Sequence, residues 1–157
     1  MSELQIPNFG ELLAPFIGAV PEQAVPNFLA LLERGAAERY RFWAEQLPEQ
    51  AEGLMACAER EDRIADHADA LFPLDPSLVE EVAAPLPDAR DTYYEVFSGL
   101  DVLDQLRVQA NAERQGAAAW RGMISDANPT KVNETLESMA QIEEASADFL
   151  DAYLATA

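Results

Sequence analysis

The stretch 136–153 reads LESMAQIEEASADFLDAY. Leu136, Met139, Glu143, Ser146, Leu150 and Tyr153 recur there at gaps of three and four residues, the spacing of a helix face turned toward neighbouring helices. Glu143 interrupts this seam where a core residue belongs. A carboxylate among packed apolar side chains is costly unless its charge is balanced, so the position needs a chemical reason.

Working outward, the stretch 54–71, LMACAEREDRIADHADAL, has the same form: Leu54, Cys57, Glu61, Ile64, Ala68 and Leu71. A third seam runs Leu103, Leu106, Ala110, Glu113, Ala117, Trp120 and Ile124, and a fourth runs Phe28, Leu31, Gly35, Glu38 and Phe42. The spacing predicts a helix for each, with Glu38, Glu61, Glu113 and Glu143 directed inward.

At 157 residues the chain is read as one domain, long enough to bury roughly 70% of its unfolded surface. No segment alternates apolar and polar residues long enough to argue for a sheet, and the class is all-α. Ten basic against 29 acidic residues give a formal net charge of −19, which repels nucleic acid and anionic lipid surfaces. Neither kind of partner is expected, and the charge reads as a solvated acidic surface. A single cysteine, Cys57, excludes an internal disulfide and fits a reducing compartment. With no secretory leader evident and no run near the ~20 apolar residues of a membrane span, the expected location is cytoplasmic.

Residues 1–20 mix Ile6, Phe9, Leu12, Leu13, Phe16 and Ile17 with Pro7, Gly10, Pro15 and Gly18, which predicts an apolar lead-in rather than a long helix. The first long helix should begin between Pro21 and Pro26 and stop near Leu47-Pro48, and the second should run from about Glu49 to Phe72. Residues 73–88 carry Pro73, Pro76, Pro85 and Pro87 and form the longest connection, with a short helix after Asp75-Pro76. The third helix is expected from a cap at Asp88 to about Asp126, kinked at Ser98-Gly99, and Asn128-Pro129 opens the fourth. Short links make the first and second helices, and the third and fourth, antiparallel neighbours joined by a crossover.

The halves repeat. Ala37-Glu38-Arg39 recurs as Ala112-Glu113-Arg114, and at one constant offset Glu61-Asp62, Ala65-Asp66 and Asp69-Ala70 fall on Glu143-Glu144, Ala147-Asp148 and Asp151-Ala152. The seams of the second and fourth helices coincide at that same offset.

A repeated pair of helix hairpins, joined by a crossover and offering one inward glutamate per helix, resembles the ferritin-like superfamily over residues 22–156. The resemblance implies a ferritin-like four-helix bundle. In di-iron and di-manganese members two helices give a Glu and two give Glu-x-x-His, so Glu38 and Glu113 match the single glutamates, and Glu61 and Glu143 match those of the Glu-x-x-His elements. Ile64 and Ser146 stand where the histidines should be. The only histidine, His67, lies one residue off its seam and reads as a surface residue.

The implied cofactor is iron or manganese; carboxylates alone favour harder ions such as Mn²⁺, Mg²⁺ or Ca²⁺. Without metal, the four carboxylates must share protons, pair with Arg39 or Arg114, or be reached by water. One reading is therefore a metal-binding, oxidoreductase-like protein, and the alternative is a bundle that has lost its metals and serves as a binding or scaffold protein. On either reading helix faces remain open to homodimer formation, and the small-molecule substrate is unspecified. No glycine-rich phosphate loop or nucleophile elbow points to a nucleotide or flavin cofactor or to a serine hydrolase. Cys57, Tyr40, Phe42, Trp43 and Trp120 read as packing residues, although an aromatic beside a metal would be a candidate for electron transfer.

Overall fold

The computed structural model describes residues 3–157, which form helices and turns with no strand among them. The long helices are α2 (Val25–Gln46), α3 (Ala51–Leu71), α6 (Val102–Arg121) and α7 (Thr130–Thr156), accompanied by α1 (Phe9–Ile17), α4 (Val79–Ala83) and α5 (Leu86–Glu95). Proline marks the starts. Pro26 sits in the first turn of α2 and Pro129 immediately precedes α7, positions where no intrahelical N–H bond is lost. No helix among the described residues is long and apolar enough to cross a membrane.

α2 packs along α3, α6 along α7, and α3 against α7. That last contact is close, because a Cβ added at Gly53 of α3 would run into the Phe149 ring of α7. α2 and α6 stand farther apart and meet through side chains, Tyr40 with Glu113 and Arg39 and Trp43 with Gln105. Their side of the molecule is spanned by α1, which rests on α5 and α6, and by α5, which rests on α2. Gln115 of α6 holds the start of α1 by donating to the Pro7 carbonyl and accepting from the Phe9 N–H, both at 2.8 Å. The Tyr94 hydroxyl of α5 donates to the Gly35 carbonyl of α2 at 2.9 Å.

The lead-in expected over residues 1–20 contains a nine-residue helix, α1, capped by the Asn8 side chain; its first two residues lie outside the described range. The predicted third helix is corrected more substantially. Instead of a kinked helix from Asp88, the chain forms α5, breaks over residues 96–101, and restarts as α6. Gly99 adopts φ +77° in the break, a conformation that ends a helix, and the Asp101 side chain caps α6 by accepting from the Asp104 N–H. The short element after Asp75-Pro76 forms as expected, with Asp75 accepting from the Ser77 N–H.

The apolar interior falls into an end containing Tyr40, Trp43, Leu54, Cys57, Phe97, Leu106 and Leu150, and an end containing Ala30, Ile64, Trp120, Leu136 and Met139. A third cluster around Phe28, Val82 and Ala89 lies under the crossover. Trp43 and Trp120 are 0% and 1% exposed, and truncating either to alanine should cost about 3–5 kcal/mol. Between the first two ends each long helix inserts a glutamate: Ala30 and Ala37 flank Glu33, Ala58 and Ile64 flank Glu61, Ala110 and Ala117 flank Glu113, and Ala140 and Leu150 flank Glu143.

Candidate carboxylate site

Three of the four glutamates expected inside are there: Glu61, Glu113 and Glu143 are 1%, 1% and 2% exposed. Glu38 is not among them. Its side chain is 65% exposed and forms an ion pair with Arg41 at 2.6 Å. The α2 position is taken by Glu33, whose carboxylate oxygen lies within 4.8 Å of those of Glu61 and Glu143. The phase of α2 explains the exchange. Its inward seam is Ala30, Glu33, Ala37, Tyr40 and Ala44, whereas Phe42 of the expected seam is exposed and lies against the Arg39 guanidinium.

Glu113 is fixed through one oxygen. Its Oε1 accepts from the Tyr40 hydroxyl at 2.6 Å and from Gln109 Nε2 at 2.9 Å, and Gln109 is oriented by the Tyr93 hydroxyl, which donates to its Oε1 at 2.6 Å. Oε2 of Glu113 and Oε1 of Glu61 are buried without a hydrogen-bond partner. Glu143 Oε1 accepts from the indole N–H of Trp120 at 3.2 Å. Gly116 of α6 makes room for it: a Cβ there would come within 2.9 Å of Oε1 and 3.0 Å of the carboxyl carbon of Glu143.

No cation among the described residues neutralises the group. Arg39 is held by Gln105 and an aromatic cage that includes Phe42 and Phe97, while Arg114 pairs at the surface with Asp148 and Asp151. Burial, and then the charge of the neighbouring glutamates, pushes the Glu61 and Glu143 carboxyls well above the usual carboxylate range. Burial also raises Glu33, although hydrogen bonds with Glu61 and Glu143 oppose part of that rise. The cluster therefore either retains protons or takes up a cation.

The donor set fits a hard cation: Glu33, Glu61 and Glu143 bring carboxylate oxygens within 4.8 Å of one another, Glu113 stands outside that trio, and buried oxygens of Glu61 and Glu113 are unpartnered. Ile64 and Ser146, three residues after Glu61 and Glu143, are both fully buried and supply no imidazole; the Ser146 hydroxyl has no partner. His67 is half-buried on the flank of α3 and is not in the group. Cys57 is buried in the apolar core, which pushes its thiol up to about 11 and fits a packing role.

A cavity of about 490 Å³ reaches these carboxylates through the side left open between α2 and α6. Phe9, Leu13 and Ile17 of α1, and Leu29, Leu32 and Ala36 of α2, form its apolar walls. Glu33, alone of the four glutamates, is half-buried rather than buried, and it lines the cavity with the other three.

Sequence periodicity alone missed Glu33, Gly116 and the cavity. A signal for Glu33 did exist in the repeat. The separation Glu33 to Glu61 is 28 residues and Glu113 to Glu143 is 30, a closer match than the 23 residues from Glu38 to Glu61. In comparisons with known proteins the chain matches no family model, no curated protein and no solved structure.

Proposed function

We propose that the protein is a ferritin-like metal-binding protein whose site is built from Glu33, Glu61, Glu113 and Glu143, with the cavity between α1 and α2 admitting a small molecule to it. The single observation that carries this reading is the approach of Glu33, Glu61 and Glu143, from α2, α3 and α7, to within 4.8 Å of one another, with the buried Glu113 of α6 lining the same cavity and no arginine or lysine among the described residues paired with them. Carboxylates so placed would hold a hard divalent ion, and the wide separation of charge from solvent rewards its uptake. Manganese or iron, when bound, would supply one-electron and Lewis-acid chemistry.

The surrounding residues have definable tasks. Tyr40 and Gln109 fix one oxygen of Glu113, leaving the other for a ligand bond; Trp120 orients Glu143; Gly116 leaves space for that carboxylate to approach.

Elemental analysis of protein purified without chelator, together with thermal-shift titrations of Mn²⁺ and Fe²⁺, tests the proposal. Bound metal and a stabilisation that disappears in Glu113→Gln are expected. Absence of metal together with absence of a Glu113-dependent shift would refute it.

Ile64 and Ser146 favour a second reading, a ferritin-like scaffold that has lost its metals and keeps its carboxylates protonated. On that reading Glu61→Gln or Glu143→Gln is neutral or stabilising and divalent ions have no effect. The two readings separate on the metal titration alone.

A further inference from the structure

Glu61, Glu113 and Glu143, almost without exposure, line one part of the cavity, and the half-buried Leu13, Ile17, Leu29 and Leu32 give it apolar walls. Arg90 of α5 lines the same cavity and is half-buried.

Arg90 is the arginine that lines this cavity. Arg34, Arg41, Arg107, Arg114 and Arg121 each have a carboxylate within 4.0 Å, whereas Arg39, Arg60 and Arg63 have none among the described residues. Arg90 has no such partner among the described residues. Its Nε is buried without a hydrogen bond, and Nη2 reaches only the Leu31 carbonyl, at 3.5 Å. Its stem lies against Gly35, where a Cβ would come within 3.2 Å of Nε, so α2 gives it room to sit in the wall. A guanidinium held beside an apolar cavity with donors unused is a receptor for a planar anion.

We propose that this cavity binds a small monocarboxylic acid with an apolar chain, its carboxylate on Arg90 and its chain laid between α1 and α2 toward the glutamates. The dimensions suit such a molecule. At ~30 Å³ for each water-sized group, about 490 Å³ accommodates on the order of sixteen groups, within the range of small-molecule sites. This inference rests on the cavity and Arg90 and requires no metal.

The test is a titration of the whole chain in EDTA with decanoate, decanol and decylamine, read by the fluorescence of Trp120, which lines the cavity, and by calorimetry. Saturable decanoate binding is expected, at least tenfold tighter than decylamine. Arg90→Gln should weaken decanoate about tenfold while leaving decanol unchanged, and Ala112→Phe, which fills the cavity from α6, should abolish binding of both. Leu13→Trp provides a second filling variant should Ala112→Phe fail to fold. Decylamine binding as tightly as decanoate would overturn the proposal, as would decanoate affinity unaffected by Arg90→Gln or by a folded filling variant. Because the titration is run without metal, its outcome is independent of whether the carboxylates bind an ion.

Discussion

Replacing Glu61 by glutamine removes one ionisable group from the interior while preserving its shape. Glu61 is 1% exposed, one of its oxygens has no partner, and its carboxyl is held well above the usual range by burial and by Glu113, Glu143 and Glu33. A carboxyl raised in the folded state binds more protons there than in the unfolded chain. Metal-free protein is therefore most favoured below the unfolded value near pH 4.5 and loses stability as pH rises from there toward the folded value. The slope is at most ~1.4 kcal/mol per pH unit for each retained proton. Between pH 5 and pH 7 wild type should thus lose up to about 2.7 kcal/mol on account of this one group. Glu61→Gln should escape that loss, and the difference between the two proteins cancels the repulsion of the acidic surface, which both share. Urea unfolding followed by helical circular dichroism at several pH values, in EDTA, measures it. Parallel pH profiles, or a variant less stable than wild type by more than about 2 kcal/mol at pH 7, would refute the reasoning.

Three further substitutions probe separate features. Gly116→Ala should displace the Glu143 carboxylate and weaken Mn²⁺ binding at least tenfold in calorimetry, while the gain in helix propensity, up to ~1 kcal/mol, keeps the metal-free protein about as stable as wild type. Gly53→Ala should instead destabilise by about 1–3 kcal/mol in urea unfolding, despite better propensity, because its Cβ meets the Phe149 ring where α3 and α7 approach. Tyr40→Phe should cost about 1–2 kcal/mol of stability by the same assay, since it takes from the buried Glu113 its 2.6 Å donor.

The helical class and the inward glutamates of α3, α6 and α7 were legible because the seams around Glu61, Glu113 and Glu143 are bounded by bulky apolar residues at helix spacing. α2 misleads for the opposite reason. Apart from Tyr40, its inward face around Glu33 is built from Ala30, Ala37 and Ala44, small residues that a hydrophobic pattern weighs lightly, while Phe42 is conspicuous in the sequence yet covers Arg39 at the surface. A rotation of α2 that brings Leu31 and Phe42 inward carries Glu38 with them and turns Glu33 away, so one phase error exchanges the two acids. The break between α5 and α6 looks like a mere kink in the sequence because Ser98-Gly99 alone does not disclose a positive φ at Gly99. The cavity had no sequence signal: it arises from the separation of α2 and α6 and from α1 lying across the gap, contacts set by residues about a hundred positions apart, such as Phe9 and Gln115.

On the proposed reading Glu33, and not Glu38, completes a metal-binding carboxylate group with Glu61, Glu113 and Glu143. Calorimetric titration of metal-free wild type, Glu33→Gln and Glu38→Gln with Mn²⁺ tests it most directly. Wild type and Glu38→Gln should bind saturably with affinities within about twofold of each other, as expected for loss of a surface ion pair, and Glu33→Gln should bind at least tenfold more weakly, a difference of ~1.4 kcal/mol or more. Mn²⁺ affinity in Glu33→Gln equal to wild type, or its loss in Glu38→Gln, would contradict the account.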